Sequence, residues 1–368
     1  MNMAKKKAET ETLSLNEQLD KDLSGLGVVN FVKLAENLCD MDVECISTGF
    51  PQLDYILHPV LKGFPMGRDM EIFSKQPELG KTSLALELIK AGQRVGKRTL
   101  FDDVERTMTT QYLRSMRVQI EQAENPALYA MRLMRHEKEA IAAEDWLDVI
   151  YKLANVMDVI VVDSVAALEK KANLDKEVGE EHQMCGISKL LSEFYKKNVS
   201  KRAALIWLNQ VRSKPGAYSP SGGEVMDTTG GRAIKFYSSI RLELSFVDKI
   251  KETKDGDPVG MRIKAFVVKN KIAPQWRQCN LSYLFGYGFS AVWDYMEMAL
   301  KLGIIEKSGA WLSYEGERLG QGMLKAHKLL VDTPELYKAL QLAVDGEDSI
   351  VEANSSVGEK PLDAELAA

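Results

Sequence analysis

Residues 70–89, MEIFSKQPELGKTSLALELI, set the order of elements on which the rest of the chain is read. Met70–Phe73 reads as a strand. Ser74–Ser83 is polar and contains Pro77 and Gly80. From Lys81, leucines and alanines recur at helical spacing as far as Gly96. Strand, polar loop and helix in that order point backbone amides and a helix N-terminus at one place, which suits a phosphate. Gly80-Lys81-Thr82 is the closing half of the phosphate-loop pattern. Glu78, Leu79, Gly80, Lys81, Thr82 and Ser83 are therefore candidates to hold ATP, with Thr82 also a ligand for Mg²⁺. Lys75 stands where that pattern has its first glycine. A left-handed non-glycine residue costs about 1–2 kcal/mol, so the loop is expected to take an altered path there.

Working outward, short apolar runs alternate with amphipathic segments. Strands are expected at Arg98–Asp102, Asp158–Val162, Ala203–Leu208, Ser239–Phe246, Met261–Asn270 and Asn280–Leu284. Helices are expected at Ala140–Val156, His182–Lys197, Gly231–Tyr237, Ala291–Leu302 and Met323–Val344. This alternation predicts an α/β protein with a mostly parallel, twisted sheet flanked by helices. DVIVVDS (158–164) is continuously apolar up to Asp163, as in a strand buried on both faces. A carboxylate at such a strand end sits where open α/β sheets bind ligands, and Asp163 is the second candidate for Mg²⁺. Glu105 follows the RTLFDD strand and is a candidate to orient an attacking water. Gln210 ends the ALIWLNQ run and could report a terminal phosphate. Lys269 and Lys271 lie two apart on an expected strand, so both face one way and need a partner.

The chain has 368 residues, 45% hydrophobic and 27% charged, with net charge −5. That suits one large core with smaller appendages. No stretch approaches the ~20 apolar residues of a membrane span, and the cytoplasm is the expected compartment. Cys39, Cys45, Cys185 and Cys279 form no CxxC pair, so no structural zinc is expected. Residues 345–368 hold seven acids against Lys360 and read as a disordered tail. The expected divisions are a helical segment at 1–42, an ATPase core at 43–288, a small α+β domain at 289–344 and the tail at 345–368.

Several stretches together resemble one family. They are MDVECISTG (41–49), GFPMGR (63–68), DVIVVDSVAAL (158–168), LNQVR (208–212), TTGG (228–231), VVKNKIA (267–273) and EKSGAWLSYEGERLGQG (306–322). In order and spacing they are similar to the RecA family of recombinases, over about residues 41–340. The resemblance implies a RecA-like P-loop core and an ATP-dependent helical filament on single-stranded DNA. It implies pairing of that strand with homologous duplex, followed by strand exchange. Lys81, Glu105 and Gln210 match the family's catalytic lysine, water-activating glutamate and γ-phosphate-sensing glutamine. Thr82 and Asp163 match its metal ligands, and Tyr112 its adenine-stacking aromatic. Lys269 and Lys271 match a pair that reaches the neighbour's ATP, and Phe285 matches a position at the neighbour's nucleotide.

Two segments that read as disordered match the family's DNA loops, Glu177–Gly186 and Val211–Thr229. The second is rich in Gly, Ser and Pro and carries Arg212, Lys214 and Tyr218 as DNA-binding candidates, followed by Gly230, Gly231 and Arg232. In the C-terminal part Lys301, Lys307, Arg318, Lys325 and Lys328 form the expected duplex-binding surface. Thr109 departs from the aspartate common in the family near adenine. The loop from Val211 is a few residues longer than usual, a divergence compatible with a virus-encoded member working in a host cytoplasm. A hexameric helicase-like motor of the same fold, and a DNA-binding regulator that holds ATP without turnover, remain the alternatives.

Overall fold

The run Val159–Asp163 is buried at every position, and its side chains alternate between two cores. Val159 and Val161 face one apolar cluster with Leu84, Leu88, Ile206 and Leu208. Ile160 and Val162 face another with Trp146, Leu205 and Trp207. A strand with period-two side chains reads as continuously apolar only when both faces are covered. The structure is a computed structural model. It describes residues 43–120, 131–134, 142–174, 186–197, 202–218, 224–228, 231–253 and 255–356. The chain divides into two units, Met1–Val43 and Glu44–Ala368, and the described residues belong almost wholly to the second. The expected helical segment 1–42, the loop up to Cys185 and residues 357–368 lie outside the described residues.

From one edge, the large sheet runs Gly288–Phe289, Gln278–Leu284, Pro258–Asn270, Ile240–Lys251, Asp69–Ser74, Ala204–Tyr218, Val159–Asp163, Thr99–Asp103, Arg132–Met134. From Ile240–Lys251 to Arg132–Met134 every neighbouring pair is parallel. The other edge is antiparallel, where the helical crossovers stop. Helices Lys81–Arg94, Ala143–Leu153 and Gly186–Lys197 cover the two faces. Beyond the sheet a third core gathers Val292, Met296, Leu312, Leu319, Leu330 and Leu340. Gln52 joins it to the main body, donating from its backbone and side-chain nitrogens to Asp294 at 2.9 and 2.7 Å.

Three expectations are corrected. Met323–Val344 is not one helix but two, Met323–Asp332 and Pro334–Ser356. Thr333, at φ −128° and ψ 80°, is excluded from helical geometry by the proline that follows. That proline opens the second helix, where a missing N–H costs nothing. The second helix runs past residue 344, so helical backbone occupies 345–356 of the stretch read as a disordered tail. Val211–Thr229 is not structureless throughout. The strand Ala204–Tyr218 pairs with Glu224–Thr228, Val211 opposite Thr228 and Tyr218 opposite Glu224. A register shift between Ser213 and Tyr218 absorbs Pro215, which cannot donate to a ladder.

Candidate active site

The loop after Asp69–Ser74 closes onto the helix beginning at Lys81, with Gly80 at φ 70° as its N-cap. Parallel pairing sets Asp103 beside Asp163, and Ser74 beside Gln210. Three strand ends thus converge with Gln210, within the strand Ala204–Tyr218, at the carboxyl edge of the parallel sheet, and a cleft of about 430 Å³ opens there. Glu78, Leu79, Gly80, Lys81, Thr82, Ser83, Glu105, Asp163, Gln210 and Phe285 all line it, together with Ser164, Met261 and Tyr283.

Thr82 Oγ1 donates to Asp163 Oδ2 at 2.7 Å. Burial pushes the Asp163 carboxyl up to about 6, Glu105 and Asp103 push the same way, and Thr82 and Lys81 oppose them. Burial lowers the Lys81 ammonium, against the pull of Asp163 and Glu105. Two oxygen donors in contact, beneath crowded carboxylates, suit a small hard cation. Val104 and Glu105 donate their backbone N–H groups to the Asp163 carbonyl at 2.9 and 3.2 Å, fixing the turn that presents Glu105. Glu105 Oε1 accepts from Ser164 Oγ and, at 3.4 Å, from Gln210 Nε2. Ser164 was not among the candidates; its place directly after Asp163 is the one signal the sequence carries.

Tyr112 lies in helix Thr110–Ser115, and its hydroxyl shares a 2.8 Å hydrogen bond with Ser83 Oγ. Thr109 caps that helix by accepting from the Tyr112 N–H at 3.1 Å, a role threonine and aspartate both fill. Phe285 lines this chain's cleft with Tyr283, ring centroids 6.4 Å apart. The left-handed residues of the loop are Glu78 at φ 58° and Gly80, and Lys75 is not among them. Its ammonium instead pairs with Glu243 at 3.1 Å.

Lys269 and Lys271 do not line the cleft. Lys269 is the last residue but one of the strand Pro258–Asn270, and Lys271 lies just beyond it. Lys269 Nζ donates to the carbonyls of Lys235 and Phe236 at 2.6 and 2.8 Å, and Lys271 Nζ to those of Phe236 and Tyr237 at 3.0 and 3.3 Å. Both ammoniums thus rest on the C-terminal turn of helix Arg232–Tyr237, where carbonyls favour cations. Burial pulls Lys269 down to about 8, and Lys271 and Arg241 add to it.

Gly231 precedes that helix at φ 65° and ψ −141°, and a Cβ there would stand 2.7 Å from Ser188 Oγ. Gly231→Ala is therefore expected to destabilise the protein by roughly 1–3 kcal/mol, seen as a lower urea midpoint. Arg232 is exposed beside it. The side chains of Arg212, Lys214 and Tyr218, and Gly230 itself, lie outside what is described.

The model of the RecA N-terminal domain family matches residues 13–290, and that of the RecA C-terminal domain matches 294–347. A protein named Protein RecA from Syntrophobacter fumaroxidans (strain DSM 10017 / MPOB) is 36% identical over 324 residues, covering 87% of this chain and 88% of that protein.

Proposed function

Since the chain belongs to the RecA family, whose members are ATP-dependent recombinases of recombination and repair and DNA-dependent ATPases, we infer from the cleft how these residues would carry out that activity. ATP binds in the cleft with its phosphates against Lys81 and the amides of Glu78–Ser83. Thr82 and Asp163 would hold Mg²⁺, which would supply charge neutralisation at the phosphates. Glu105 takes the proton of the attacking water. Its Oε1 is engaged by Ser164 and Gln210, which leaves Oε2 to act. Gln210 touches that base and lies on the strand that continues into the Val211–Thr228 hairpin, so nucleotide state and hairpin share one backbone.

Lys269 and Lys271, outside this cleft, would complete the cleft of the next protomer, so that turnover requires assembly. Single-stranded DNA runs along the hairpin with Arg212, Lys214, Tyr218, Gly230, Gly231 and Arg232, and duplex meets the C-terminal lysines. Among the described residues no helix is long and apolar enough to cross a membrane. A cytoplasmic, DNA-associated protein is consistent with this reading.

The observation that carries the reading is the convergence of Lys81, Thr82, Asp163, Glu105 and Gln210 on one cleft. ATP hydrolysis measured with and without single-stranded DNA, with electron microscopy of the same sample, tests it. DNA-stimulated hydrolysis and helical filaments are expected. Rings, or turnover indifferent to DNA, would refute the filament reading.

A further inference from the structure

Ser74 is the last residue of its strand, and it is 2% exposed. Its hydroxyl donates to the Gln76 carbonyl at 2.6 Å and accepts from Lys81 Nζ at 2.8 Å. A hydroxyl has one hydrogen and two lone pairs. With the hydrogen committed to Gln76, the lone pairs are left for the ammonium, and the direction of Lys81 is set. One side chain therefore links the end of the strand, Gln76 within the phosphate loop and the lysine that closes it.

The surroundings explain why such a brace is needed here. Lys75 occupies the place of a glycine, and Glu243 on the adjacent strand takes its ammonium. The left-handed turns fall later, at Glu78 and Gly80, and Glu78 bears the strain of a side chain in that region. A loop bent at an unfavourable residue, without its first glycine, needs a side-chain hydrogen bond to hold its course. A lysine ammonium has three donors. One N–H given to Ser74 leaves two for phosphate oxygens, so the contact can persist with nucleotide bound. Side-chain freedom that a loose lysine would lose on binding is already spent.

We propose that Ser74 is a positioning residue for nucleotide: its hydroxyl braces the phosphate loop in place of the missing glycine and aims Lys81 at the phosphates. This rests on the reading of Lys81 as a phosphate ligand. The test uses the full-length chain, a fluorescent ATP analogue for affinity, and steady-state hydrolysis on single-stranded DNA. Ser74→Ala is expected to weaken analogue binding and raise KM about tenfold, the loss of one hydrogen bond to a charged group, with kcat within about threefold.

Ser74→Thr keeps the hydroxyl and is expected to recover affinity to within about threefold. Lys81→Ala should lose at least about a hundredfold, and adding Ser74→Ala to it should cost clearly less than Ser74→Ala costs alone. Unfolding midpoints of all variants are compared, so that a folding defect is not read as a binding one. If Ser74→Ala binds normally while Lys81→Ala is crippled, the role of Ser74 is wrong and the phosphate reading survives. If Ser74→Thr fails to rescue, or the two losses add, Ser74 does not act through its hydroxyl on Lys81. If Lys81→Ala binds ATP normally, both the reading and the proposal fall together.

Discussion

Glu105→Gln is expected to lower ATP turnover on single-stranded DNA by about 10²–10⁴-fold while leaving nucleotide binding and filament formation in place. The substitution keeps the shape of the side chain. A glutamine oxygen can still accept from Ser164 Oγ and Gln210 Nε2, the two contacts that hold Glu105 over the cleft. What is lost is the capacity to take a proton. Electrostatics separate the effect further from binding. Glu105 is one of the charges that push Asp163 up toward about 6, so its removal makes that carboxylate easier to ionise and no worse a metal ligand. Single-turnover hydrolysis and analogue affinity, measured on the same preparation, check this. A variant that turns over normally removes Glu105 from the chemistry. One that fails to bind shows that its charge was holding the site together.

How much of this site could be read in advance depends on what leaves a trace in residue order. Lys81, Thr82 and Asp163 were legible because strand–loop–helix context and a run buried on both faces are patterns of local sequence. That Phe285 lines this chain's own cleft was not legible, because which side of a strand end a residue lines depends on the register of Gln278–Leu284, and register is not local. The partner of Lys269 and Lys271 was invisible for another reason. It is a set of backbone carbonyls at the end of Arg232–Tyr237, and any residue supplies a carbonyl.

Ser74 was passed over because one serine at a strand end is common, and only folding shows the lysine arriving seven residues later. The α+β reading of 289–344 placed no individual strands: those at Ile305–Ser308, Trp311–Tyr314 and Glu317–Gln321 are short and the first exposes three of four side chains, so no alternation shows. The hairpin after Val211 was hidden by its own composition. Pro215 and Gly216 argue against a ladder, and the ladder goes round them by shifting register.

Asp102→Val is expected to stabilise the folded chain by about 1–3 kcal/mol near neutral pH. Asp102 sits on the strand Thr99–Asp103 and shares its face with Leu100, which belongs to the core of Trp146 and Trp207. It is fully buried, and neither carboxylate oxygen has a hydrogen-bond partner among the described residues. The nearby Trp146 indole lowers the carboxyl pKa without closing a bond of normal geometry. Burial first, then Asp103 and Asp163, push the carboxyl up to about 8. The sign follows from which state holds the proton. Between about pH 4 and pH 8 the unfolded chain has released it and the folded chain keeps it. The folded state of the natural sequence therefore loses stability as pH rises across that window, and the loss levels off above it. Valine is β-branched, fits a strand, carries no polar atom and has no proton to hold. Urea midpoints of the two chains from pH 5 to pH 9 should show the valine form ahead throughout, and its lead should widen up to about pH 8. A lead that does not change with pH would mean that Asp102 is already ionised and paired inside the fold. No lead at all would mean that its oxygens find water there.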